Sequence, residues 1–122
     1  MAVSTIELIQ IPVRNIETSL AFYRQALGFE IVHAEHGAFH LRREGVNGIV
    51  ALSEQISGLE PGSVQGVVVS TSNLAMCYAR LTAMGVAIDN VVEVLGGKFA
   101  TFTDPDGNGW VLLEAESTVM QA

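Results

Sequence analysis

Three histidines fall close together in this chain, His33, His36 and His40. Imidazole is the side chain that most readily serves as a metal ligand or a proton carrier near neutral pH. If they sit on two adjacent strands, two of the rings would converge. Their spacing matches no zinc signature, and no carboxylate is evidently placed with them, so exposure or local hydrogen bonding near a strand turn is the plainer role. His40 stands mid-strand between Phe39 and Leu41, and two roles stay open for it. It is either a polar group in a pocket, hydrogen-bonding a ligand, or an imidazole packed with its nitrogens satisfied. Asp104 and Asp106 have the look of an acid–base pair, but they sit in Asp104-Pro105-Asp106-Gly107-Asn108-Gly109. There Pro105 fixes its own φ and Asx hydrogen bonds account for the carboxylates. Cys77 is the single cysteine, so a zinc–thiolate cluster and an intrachain disulfide are excluded, and no base is placed beside it to make a nucleophile. Tyr23, Tyr78 and Cys77 all fall on helical stripes, where aromatic and thiol groups are core residues.

The elements that position these residues follow from periodicity. Thr5 to Val13 alternates as a strand, with Ile9, Ile11 and Val13 on one face and Leu8 and Gln10 on the other. Asn15 is a good N-cap, Glu17 lies in the first turn, and Ile16, Leu20, Tyr23 and Leu27 recur at helical spacing before a C′ glycine, Gly28. Strands are expected at Phe29–His33, Ala38–Arg42 and, after the turn Gly45-Val46-Asn47-Gly48, at Ile49–Ser53. Residues 55–63 form a connector containing Pro61 and two glycines, Gly58 and Gly62. The pattern then restarts. Val64–Thr71 reads as a strand, and Asn73 caps a helix striped by Leu74, Cys77, Tyr78, Leu81 and Met84 before Gly85. Strands follow at Val86–Val92, Phe99–Thr103 and Trp110–Glu114. Two βαβββ repeats in tandem, about 4–54 and about 64–116, are expected within a single domain spanning 1–122. Neither half buries its sheet face alone.

Composition sets the outer bounds. The chain has 122 residues, 49% hydrophobic and 16% charged, enough for one substantial core. A formal charge of −7 with only 6 Lys and Arg argues against nucleic acid as a partner, because that binding depends on neutralising phosphates. No apolar run reaches the ~18 residues of a membrane span, and Met1 to Glu7 lacks the basic and apolar regions of a signal peptide. A cytoplasmic protein with no membrane partner is expected. Acidic groups near a pocket would favour a cationic ligand; elsewhere they simply keep the surface soluble.

Val13-Arg14-Asn15-Ile16, followed by Ser19-Leu20-Ala21-Phe22-Tyr23 and Leu27-Gly28-Phe29, resembles the opening of the vicinal oxygen chelate superfamily. Asp104-Pro105-Asp106-Gly107-Asn108 is similar to that group's last hairpin. The group contains glyoxalase I, extradiol dioxygenases, fosfomycin-resistance enzymes, methylmalonyl-CoA epimerase and bleomycin-resistance proteins. The resemblance implies an α+β fold: a curved, mixed eight-stranded sheet, helices on its convex face, a cavity in its concavity, and a homodimer. Enzymes of this group hold a divalent metal with His, Glu or Gln from strands of both repeats. Their first ligand lies five residues before the valine closing strand one, which here is Leu8, and its second-repeat match is Gly66. The ligand on the final strand falls at Val111, and its first-repeat counterpart at Val50 or Ala51, since the hairpins align in two registers.

None of these side chains binds a metal. Gln10 shares a face with Leu8, but one amide makes no site. Glu114 is an odd number of residues past Val111 and faces away. Trp110, of opposite parity to Val111, is expected against the helices, unless it lies at an open edge. The residues therefore point to a protein without cofactor or metal that binds a small organic molecule, cationic or aromatic. It looks most like the bleomycin-resistance branch, with antibiotic-resistance character. Leu8, Val68, Val111 and Leu113 would line the pocket, and Gln10 and His40 would supply polar contacts. The alternative is a lyase, isomerase or dioxygenase-like enzyme with an unconventional site, its base His40 or a glutamate elsewhere. A third reading is a partner-binding module with no small ligand.

Overall fold

The computed structural model describes Val3 and residues 7–116. Thr5 and Ile6, expected to start the first strand, lie outside those residues. The chain divides into two compact units between Ser63 and Val64. The first runs β1 (Ile9–Pro12), α1 (Ile16–Gln25), β2 (Glu30–Glu35), β3 (Ala38–Arg42) and β4 (Val50–Ser53). The second runs β5 (Val67–Ser70), α2 (Leu74–Ala83), β6 (Val92–Val94), β7 (Gly97–Thr103) and β8 (Gly109–Ala115). Each is the expected βαβββ unit. Each forms a four-stranded mixed sheet, ordered β1-β4-β3-β2 and β5-β8-β7-β6. The first and last strands of a unit pair in parallel, and the remaining pairs are antiparallel.

The helices start and stop where the residues direct. Asn15 is extended, at φ −133°, and its side chain accepts the Thr18 N–H at 3.0 Å. Asn73 does the same for Met76 at 3.0 Å. α2 ends in a Schellman motif: Val86 N–H donates to Leu81 O, and Gly85 N–H to Thr82 O, with Gly85 at φ +82°. At the end of α1, Gly28 at φ +74° donates its N–H to Arg24 O at 3.2 Å. Each helix lies on one face of its own sheet, α1 against β4 and α2 against β7 and β8. In the first unit Ile11, Leu41, Leu52 and Tyr23 are fully buried, and Tyr23 meets Phe22 and Phe29 edge-on. In the second, Leu74 and Leu81 of α2 are buried, as are Ala100, Phe102, Trp110 and Leu112 of the sheet. Trp110 stacks on its cross-strand partner Phe102 at 6.4 Å, so it is a core residue, as its parity predicts.

Several strand ends differ from expectation, most at β1, β5 and β6. β1 covers only Ile9–Pro12; Ile11 and Val13 are buried as foreseen, while Ile9 is 40% exposed. β5 begins at Val67 rather than Val64, because Gly66 at φ +80° breaks the extended backbone. β6 is Val92–Val94, beyond most of the expected Val86–Val92. Asp89 and Asn90 interrupt that apolar run, and the approach touches β7 through an isolated bridge, Ile88 to Phe102, and the Asp89 N–H to Thr101 O bond at 2.9 Å.

Candidate ligand-binding grooves

The sheet face opposite each helix carries a groove. In the first unit the pairing register sets Gln10 of β1, Ala51 of β4, His40 of β3 and His33 of β2 in one cross-strand row. Strand pleating sends these side chains to one face and Ile11, Leu52 and Phe39 to the other. A groove of about 430 Å³ opens on that face, lined by Leu8, Gln10, His40, Ala51 and Ser53 among others. The structure thus brings together three of the expected contact residues, Leu8, Gln10 and His40. In the second unit the equivalent row is Val68, Val111, Thr101 and, through its bonds to Thr101, Asp89. A groove of about 510 Å³ is lined there by Gly66, Val111, Thr101, Asp89 and neighbours. Val68 and Leu113 stand on the same pleated face as Val111, with Val68 54% exposed, but outside that groove's wall.

The histidines cluster without forming a coordination shell. The His33 and His40 rings meet edge-on at 5.5 Å. Glu35 reaches His33 Nε2 at 3.3 Å and His36 Nε2 at 3.6 Å. His36 and Gly37, at φ +50° and +79°, make the two-residue turn between β2 and β3, a conformation histidine tolerates. Among the described residues no group of three or more His, Cys, Asp or Glu side chains is arranged to hold a metal.

The register also relates the ligand positions that the resemblance implies in the two repeats. Gln10 pairs with Ala51 as Val68 pairs with Val111, so Ala51, not Val50, is the counterpart of Val111. The set is therefore Leu8, Ala51, Gly66 and Val111, which offers no donor atom from a side chain. Gly66 adds a backbone reason. Its φ of +80° is one that L side chains rarely adopt, although a Cβ there would meet nothing within 4 Å. The residues present do not fit a metal of the superfamily type.

Two carboxylates that resemble donors are employed elsewhere. Glu114 Oε1 accepts the Leu74 N–H at 2.7 Å at the start of α2, and its other oxygen lies 3.6 Å from Lys98 Nζ. Glu54 Oε2 accepts the Ile16 N–H at 2.8 Å at the start of α1. Asp104 is buried in its turn. Oδ1 accepts the N–H groups of Asp106 and Asn108, and Oδ2 accepts Asn108 Nδ2, all at 2.9 Å. Asn108 in turn accepts the Val64 N–H at 3.1 Å. The turn therefore anchors the entry to β5, as Asx chemistry predicts. Sequence reasoning missed Asp89 and Thr101 as groove residues; the one visible signal was an Asp-Asn pair interrupting an apolar run.

A family model, the Glyoxalase/Bleomycin resistance protein/Dioxygenase superfamily, matches residues 5–112. The chain is 29% identical over 116 residues to a trivalent organoarsenical cleaving enzyme from Bacillus sp. (strain MD1), covering 88% of this chain and 71% of that protein. It is similar to the crystal structure of TnmS3, an antibiotic binding protein from Streptomyces sp. CB03234. The TM-score is 0.88 at 29% identity, covering 95% of this chain and 99% of that one. A glyoxalase/bleomycin resistance protein from the same organism matches with a TM-score of 0.81 at 29% identity, covering 89% and 99%.

Proposed function

Because the chain belongs to the glyoxalase/bleomycin resistance protein/dioxygenase superfamily, we propose that it binds a small organic molecule without a metal and without transforming it. The ligand would be a cationic or aromatic compound of antibiotic type, held by sequestration. The observation that carries this reading is the pair of sheet-face grooves with leucine, alanine, glycine and valine at the metal positions. Likeness to an antibiotic binding protein adds support. Leu8, Gln10 and His40 are the proposed contacts in the first groove and Val111 in the second, with Val68 and Leu113 on the same sheet face beyond its wall. Apolar walls with a few placed polar groups are what small-molecule recognition needs. The proposal takes both repeats as one domain and includes a homodimer. A cytoplasmic location is proposed as well, resting on the lone Cys77. Among the described residues no helix is long and apolar enough to cross a membrane.

Metal analysis and a thermal-shift screen test it together. Purified protein, before and after chelation and supply of Ni, Fe, Mn or Zn, is expected to hold no stoichiometric metal and to gain no stability from any of them. Cationic aromatic drugs should raise Tm, and less so as salt increases. One tightly held metal per chain would overturn the metal-free reading.

A second reading is favoured by one observation, the relative that cleaves trivalent organoarsenicals. On it, His40 with the adjacent His33 ring would serve as a base in a lyase or isomerase reaction. Incubation with a trivalent organoarsenical separates the two readings. Turnover that is lost in His40→Ala supports the enzyme, and unchanged substrate supports the binding protein.

A further inference from the structure

Asp89 is a groove-lining carboxylate to which the fold gives an orientation but no charge partner. We propose that it is the cation-recognising group of the ligand site, so that the bound compound carries an ammonium, amidinium or guanidinium group beside an apolar body. This rests on the binding reading above and adds the residue and the ligand's charge.

The orientation comes from β7. Thr101 Oγ1 donates to Asp89 Oδ2 at 2.8 Å, and the Asp89 N–H donates to Thr101 O at 2.9 Å. Both the backbone and the side chain of Asp89 are thus tied to one strand residue. Its remaining oxygen, Oδ1, takes no part in these bonds, and among the described residues no basic side chain pairs with the carboxylate. That sets Asp89 apart from Asp104, Glu54 and Glu114, which hold a turn and two helix starts, and from Glu35, which faces two histidines.

The surroundings suit a cation. Asp89 shares its groove with Ala87 and Val111, and with Gly66, over which a Cβ would meet nothing within 4 Å. Asp89 is itself exposed, so an incoming N–H⁺ can reach it, and a charge-assisted hydrogen bond to a carboxylate already oriented by Thr101 is stronger than a neutral one. The first unit has His40 and His33 at the corresponding positions of its row, where the second has a hydroxyl and a carboxylate. The first groove has a carboxylate as well, Glu35, but it already faces His33 and His36, so discrimination for a positive ligand is assigned to the second groove.

Biphenyl-4-ylmethylammonium and its neutral analogue biphenyl-4-ylmethanol test this by calorimetry, with amide shifts locating the bound probe. Wild-type protein is expected to prefer the ammonium by about tenfold. Asp89→Asn keeps an oxygen for the Thr101 hydroxyl and should abolish that preference, bringing the ammonium's affinity down to that of the alcohol. Asp89→Lys should reverse it. A preference that survives in Asp89→Asn, or shifts confined to residues away from Asp89 and Thr101, would overturn the assignment. Equal binding of both probes by the wild type sinks the role of Asp89 and leaves the binding reading standing. Binding of neither probe overturns both.

Discussion

Asp104 shows how a carboxylate beside a groove can be wholly structural. It accepts three hydrogen bonds inside its own turn and is almost inaccessible to water. Asp104→Ala leaves two backbone N–H groups and one amide without their acceptor, and should cost about 3 kcal/mol of unfolding free energy in urea titrations. Gly66 makes the complementary point about a lost donor. Gly66→Glu places a carboxylate at a superfamily ligand position but forces a left-handed backbone on it. The variant should lose about 1 kcal/mol and still hold no metal by elemental analysis. Asp104 was legible in the sequence because turn chemistry is local. Asp89 was not, because its partner Thr101 is brought beside it by strand pairing, and Val86–Val92, in which it falls, has the look of one continuous strand.

The two helices owe their starts to residues near and far. Asn15 and Asn73 were readable as caps, since the bond each makes is three residues long. Glu54 and Glu114 were not, since they reach the first helical N–H groups across 38 and 40 residues of chain. A negative charge at a helix N-terminus also complements the helix dipole. Glu114, the less exposed of the two, should cost about 2 kcal/mol when replaced by alanine, and Glu54 about 1 kcal/mol. Amide exchange at Leu74 and Ile16 should accelerate in the respective variants. The pair also explains why Glu114 faces the helix side, a direction parity alone indicated without saying what it met. The strands were located less well than the helices. Val86 to Val92 has the β-branched content of a strand, yet a strand needs a partner ladder, and β7 supplies a regular one only from Val92 onward.

For the whole molecule, 13 acidic against 6 basic side chains create a field that acts on charged ligands before contact. Stopped-flow capture of a cationic aromatic drug should slow several-fold between about 0.01 M and 0.15 M salt, as the Debye length contracts from about 30 Å to about 8 Å. A neutral analogue should show almost no change. The tandem βαβββ organisation was legible because each repeat carries the same punctuation: an Asn cap, an apolar stripe and a glycine stop. The grooves were legible only in outline, since which residues share a row depends on registers that no single repeat reveals.

β6 closes one margin of its sheet, and all three of its residues are exposed. Val91-Val92-Glu93-Val94-Leu95 would be a strongly strand-forming, water-averse window but for the single acid at its centre. An open margin of that kind is a template on which a strand from another molecule can add, and one buried-averse charge is enough to discourage it. Glu93 is the one charge in that window. Glu93→Val should leave the folded spectrum unchanged and yet bring on light scattering and dye-positive aggregates at concentrations where the parent protein stays clear.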